Sequence, residues 1–146
     1  MTAGERGAVG GIEVLPFGLL IFVAGTLLIA NAWAVVDAKL AVEAAAREAG
    51  RAYSEAGDLS SAEASADSAA RAALAGAGRD PDRLELADNA PRYVRCAVVE
   101  HTAAYRVPSL TIPFVGGFGD GTTVRGRHRE VIDPFVAGLG PENACD

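Results

Sequence analysis

The sequence predicts an α+β protein: a long N-terminal helix, transmembrane and then extracytoplasmic, followed by a second helix and a small antiparallel sheet of about three strands. Three features predict it. A charge-free apolar run, Val14 to Val36, passes into a stretch of strong helix formers that ends near Ala56. Ser60 and Glu63 stand at capping-box spacing before an Ala-rich stretch that meets Gly76 and Gly78. Further on, residues alternate in the manner of half-buried strands, most regularly from Thr122 to Ile132.

The first element is set by the solvent it tolerates. VLPFGLLIFVAGTLLIANAWAVV contains 23 residues, which as a helix extend about 35 Å, enough for a hydrocarbon core of roughly 30 Å. Only Thr26 and Asn31 interrupt its apolar surface, where the core helix of a soluble protein carries a polar stripe. Trp33 suits an interfacial position, and Asp37 and Lys39 mark the return to water. The chain then divides into an N-terminal leader at 1–13, a membrane span at 14–36 and a small extracytoplasmic domain at 37–146. A secretory signal peptide competes with this reading, because Ala30-Asn31-Ala32 and Ala32-Trp33-Ala34 fit a small-residue cleavage pattern and would release a soluble binding domain. Against it stand the length of the run, Arg6 as the only basic side chain before it, and Glu13 at its entrance. Positive charge does not settle orientation: the amino terminus and Arg6 precede the span, while Lys39, Arg47 and Arg51 follow it.

With 146 residues there is room for one small domain beside the span. The net charge of -6 excludes a nucleic-acid partner of the ordinary kind, which needs clustered Lys and Arg. Cys96 and Cys145 lack the close spacing of zinc sites and redox dithiols. They either form one disulfide, as suits a compartment outside the cytoplasm, or remain two thiols.

Glu13 is the most informative residue. An ionised carboxylate beside an apolar run is costly unless water or a partner compensates it; it either serves the helix dipole or meets an opposite charge. The stretch RGAVGGIEVLPFGLL, with Gly7 before a short apolar segment, then Glu13, Pro16 and the apolar helix, resembles the N-terminus of type IV pilin-like proteins, in particular the TadE-like family of tight-adherence pilus components. AVEAAAREAGRAYSEA (Ala41 to Ala56) is similar to that family's juxtamembrane helix, and REVIDPF (Arg129 to Phe135) to its late strand. The resemblance implies a minor pilin or pseudopilin in the bacterial cytoplasmic membrane, amino terminus in the cytoplasm, that helps prime or stabilise a filament. It further implies trimming by a prepilin peptidase between Ala8 and Val9, which makes Glu13 the fifth mature residue, whereas a cut after Gly7 makes it the sixth. The freed ammonium of one subunit would then pair with Glu13 of its neighbour where little water screens the charges. Implied partners are the lipid bilayer, other pilin-like or envelope subunits, and the peptidase. An unprocessed single-pass accessory protein scaffolding an envelope platform is the alternative.

The remaining elements follow in order. Lys39, Glu43, Arg47, Arg51 and Glu55 recur every four residues as one charged row on the first helix, leaving Val36, Leu40, Ala44 and Ala45 off that row to meet another helix. Gly57-Asp58 breaks this helix, and the second runs from Ser60 to about Ala75, with too little apolar area to stand without a sheet. Strands are expected at Arg83 to Ala87, Tyr93 to Val107 and Thr122 to Ile132, the last with Arg125, Arg127 and Arg129 facing solvent. Between the last two, PSLTIPFVGGFGDG (Pro108 to Gly121) is too long and apolar for a simple turn, so it covers the small core or meets a partner. Its glycines lack the Lys-Ser/Thr of a phosphate loop.

His101 and His128 are the only histidines. Either formally permits a Cys/His pair or a partial metal site with Cys96 or Glu100, although an exposed or hydrogen-bonded strand residue is the ordinary outcome. No nucleophile elbow or carboxylate pair stands out, so the chain reads as a non-enzyme without metal or cofactor.

Overall fold

The computed structural model describes residues 14–89, 93–109, 111–112, 116–117, 120–140 and 145. The fold is α+β. Helix α1 spans Val14–Ser54 and α2 spans Leu59–Gly76; after a 3-10 turn at Pro81–Arg83 come β1 (Leu84–Asp88), β2 (Val98–Val107), β3 (Thr111–Ile112), β4 (Gly116–Gly117) and β5 (Thr122–Val131). Strands β1, β2 and β5 form an antiparallel sheet in the order β1-β2-β5, and β3 and β4 pair in a sheet of their own.

Helix α1 is continuous, yet its two ends live differently. From Val14 to Trp33 its residues are exposed apart from a half-exposed Leu27, whereas Ala38, Ala41, Val42, Ala45, Ala46, Ala49, Gly50 and Tyr53 are buried. These recur at three- and four-residue steps, the signature of one helical face. The seam therefore includes Ala45 from the expected set but leaves Val36 and Leu40 exposed; the small residues, which admit close approach, define it instead. The charged row self-pairs in part: Lys39 with Glu43 at 3.0 Å, and Arg51 with both Glu48 and Glu55 at 3.0 and 3.1 Å.

Helix α2 starts one residue earlier than its expected capping box. Asp58, not Ser60, is the N-cap: its extended backbone lets the carboxylate accept from the Ser61 amide at 3.0 Å, and both serine hydroxyls also donate to it. These bonds draw the Asp58 carboxyl down to about 2, hydroxyl donation from Ser60 contributing most. At the other end, Gly78 takes a φ of 70°, its amide bonds the Ala75 carbonyl, and the Arg79 amide bonds that of Leu74. This is a Schellman ending, which needs a residue tolerant of left-handed backbone. It delivers Arg79 against α1, where the guanidinium reaches the Ala34 carbonyl and pairs with Asp37.

Both helices cover one face of the sheet. Leu84 on β1, Val99, His101, Ala103, Tyr105 and Val107 on β2, and Val124 and Gly126 on β5 point into the core. Arg125, Arg127 and Arg129 are exposed on the opposite face. The central strand begins at Val98, five residues later than the expected Tyr93 start. Cys96 holds a φ of 62°, unsuited to a ladder, and Tyr93 is used as a core plug: it is buried edge-on to Tyr53 and donates its hydroxyl to the Ala56 carbonyl.

Candidate functional site

The most unusual surface is the first half of α1. Phe17, Phe22 and Trp33 stand 67, 71 and 72% exposed, and Leu15, Leu19, Leu20, Ile21, Leu28 and Ile29 are exposed alongside them. Water does not tolerate so continuous an apolar surface. The most apolar stretch of α1 has a mean hydropathy of 2.3 with none of it covered, and the helix is long and apolar enough to cross a membrane. Thr26 returns its hydroxyl to the Phe22 carbonyl at 2.9 Å, so its donor is satisfied within the helix and needs no partner outside it. Glu13 and the Ala8-Val9 peptide lie outside the described residues.

Cys96 and Cys145 are joined, with Cα atoms 5.4 Å apart. A second clamp, unrecognised in the sequence, lies beside them. Arg95 donates to the carbonyls of Val136, Leu139 and Gly140 at 3.0, 2.7 and 2.9 Å, pinning the segment that follows β5. Only its adjacency to Cys96 hinted at this. The same segment carries Phe135, 90% exposed, at the rim of a groove of about 740 Å³ between Arg51–Glu55 and Glu130–Ala137.

The histidines do not assemble with Cys96 or Glu100. Cys96 is a disulfide half and carries no thiol. Glu100 faces the outer side of the sheet and accepts from Arg129 at 2.6 Å, while His101 points inward and is fully buried. The His101 ring meets Tyr53 edge-on at 5.1 Å, and among the described residues neither ring nitrogen nor the Tyr53 hydroxyl has a hydrogen-bond partner. Burial pushes the His101 pKa down, with Asp88 opposing the shift and His128 adding to it. Burial also lifts the Tyr53 phenol to about 12. His128, the strand partner of His101, bonds Glu130 at 3.0 Å. A neutral imidazole sealed from solvent next to a neutral phenol has no access to a substrate. No group of three metal-ligating side chains occurs among the described residues.

Comparison with protein-family models, with curated proteins and with solved structures gives no match.

Proposed function

We propose that the chain is a pilin-like or pseudopilin-like membrane subunit of the TadE-like kind, held in a bacterial cytoplasmic membrane by the first half of α1. Its small extracytoplasmic head meets other envelope subunits and helps prime or stabilise a filament. One observation carries this reading: a single unbroken helix supplies an uncovered apolar rod at Val14–Trp33 and, beyond Ala38, the spine of the folded head. Anchor and head so joined move as one rigid piece, so contacts between rods in the bilayer fix the spacing of the heads. Small residues on the rod, Gly18, Ala24 and Gly25, suit close helix approach.

The resemblance of the RGAVGGIEVLPFGLL segment to pilin-like N-termini adds Glu13 as the register-setting charge and Ala8-Val9 as the processing point. A signal-peptidase cut after Ala32 or Ala34 is the less favoured reading, because both peptides lie inside the continuous helix and Ala34 already packs against the head.

The test is fractionation combined with mass spectrometry of the amino terminus, with and without the prepilin peptidase. A detergent-requiring product that begins at Val9 only when the peptidase is present supports the proposal. An unprocessed membrane product favours the accessory scaffold, and a water-soluble product beginning near Trp33 or Val35 overturns the membrane reading. Glu13→Gln is expected to leave insertion intact while abolishing co-purification with partner subunits.

A further inference from the structure

Two surfaces of the head carry opposite charge. Both helices pack on the inner face of the sheet, and the outer face carries exposed arginines. The strand register sets Ala87, Thr102 and Arg127 in one row of that outer face, and Ala104 beside Arg125 in the next. Short side chains thus make a flat floor from which Arg125 and Arg127 rise, both exposed and without an ion pair among the described residues. Arg129 differs, since Glu100 holds it at 2.6 Å.

The groove between Arg51–Glu55 and Glu130–Ala137 is the opposite in kind. Its lining sets three carboxylates, Glu55, Glu130 and Asp133, against the one guanidinium of Arg51, which Glu48 shares. Asp133 accepts from the Phe135 amide at 2.7 Å and has no cationic partner among the described residues. The Phe135 ring stands uncovered at the rim, with exposed Val131 beside it. An acidic hollow edged by a bare aromatic ring suits a guanidinium: the carboxylates accept its N–H groups, and the ring face attracts its charge.

Strand β5 puts the two surfaces at different heights. Gly126 lies against the Val42–Glu43 backbone and Gly50 lies against His128 and Glu130, so the strand ascends with α1, away from the bare rod. Arg125 and Arg127 precede Glu130 by five and three residues, or about 17 and 10 Å. The groove is the higher feature and the arginines the lower.

We infer that the groove receives Arg125 or Arg127 of a second copy of this chain, whose outer sheet face lies against Phe135. Charge complementarity selects this occupant, because one chain carries both the acidic hollow and the unpaired cations, and its floor of Thr102 and Ala104 leaves room for a ring. The two patches are different surfaces, so the contact runs head to tail and repeats instead of closing into a symmetric pair. Each copy stands about 10–17 Å farther along the helix axis than the copy that receives it. Two chains inserted at equal depth do not meet this way; the contact belongs to subunits shifted past one another in a filament, and in that sense it rests on the function proposed above. Exposed charges hold weakly by themselves, and adjoining rods supply the effective concentration that keeps the heads together.

The test uses the full-length chain in detergent, where the rods are free to shift along their axes. Two batches with different affinity tags are mixed, one carrying Ala137→Cys in the groove and the other Thr102→Cys on the sheet face, the native cysteines being bonded to each other. A short bismaleimide is expected to join the batches to one another far more than it joins either to itself. Glu55→Arg with Asp133→Arg in the groove batch is expected to cut the joined product about tenfold. Arg125→Glu with Arg127→Glu in the sheet batch is then expected to restore it, a recovery that misfolded heads do not give. Ala87→Cys, in the same row as Thr102, takes its place if that variant fails to fold. Product within one batch exceeding product between batches overturns the head-to-tail contact in favour of a symmetric one. Product indifferent to charge reversal overturns the assignment of these residues. No product between batches, from a chain that still requires detergent, overturns the contact and leaves the membrane reading standing. A chain that stays in water without detergent overturns the membrane reading and the filament offset with it.

Discussion

At the scale of single residues, the core contains a local conflict. Burying a polar atom without a partner costs about 1–3 kcal/mol, and Tyr53 and His101 together bring three such atoms into contact with one another's rings. The imidazole is tolerated because it is neutral. Burial pushes its pKa below the ordinary value; Asp88 on the paired strand pulls upward, and His128 opposite reinforces burial. The sign of the linkage follows. Below about pH 6.5 the unfolded chain takes up a proton that the folded head refuses, so stability is full above that pH and declines as pH falls through it. The urea midpoint is expected to drop between about pH 7.5 and pH 5, and His101→Phe, which keeps an aromatic ring beside Tyr53, is expected to flatten that slope. A slope unchanged in the variant would assign the effect to a group other than His101.

At the scale of elements, the head is a sheet pressed onto a helix through residues that have almost no side chain. Gly126 is the extreme case: an added Cβ would sit 2.7 Å from the Val42 carbonyl carbon and oxygen, backbone atoms that cannot rotate away. Gly126→Val is therefore expected to push β5 off α1 and lower stability by about 3 kcal/mol or more, read from a chemical-denaturation midpoint. Gly76→Ala, which meets no atom within 4 Å, is the tolerated control. This packing also explains what was legible in the sequence. Helix lengths, the meander of strands and the outward Arg row follow from period and punctuation, because charges and glycines mark them plainly. The buried face of α1 was harder, since alanine occupies both its covered and its open sides and periodicity then carries little contrast. Asp58 displaced Ser60 as the cap because an Asp immediately after a helix-breaking Gly offers the stronger acceptor two positions closer to the break. The start of β2 was misplaced for a tertiary reason: Tyr93 reads as a strand residue but fills the space over Tyr53, and the left-handed turn at Cys96 depends on a bond to a residue 49 positions away. The inward turn of His101 was readable only as its place in the series Val99, Ala103, Tyr105.

At the scale of the whole molecule, the bare and the covered surfaces of the chain are separated along one helix, and the separation is sharp enough to cut. The first fully covered residue of α1 is Ala38, and the core cluster runs from there to Ile132. Removing residues 1–34 takes away the bare rod and the Ala34 carbonyl that Arg79 uses, but leaves Asp37, the other partner of that guanidinium, in place. The fragment 35–146 is therefore expected to be monomeric and soluble without detergent and to unfold in one cooperative step. It should also be markedly less stable after reduction, because the Cys96–Cys145 bond closes a loop of 49 residues. Chain entropy values such a closure at about 4 kcal/mol, a large share of the stability of so small a head. Circular dichroism during urea titration, with and without reductant, measures both effects in one experiment. A fragment that aggregates or melts without cooperativity would mean that the rod supports the head as well as anchoring it, and the division of labour along α1 would have to be redrawn.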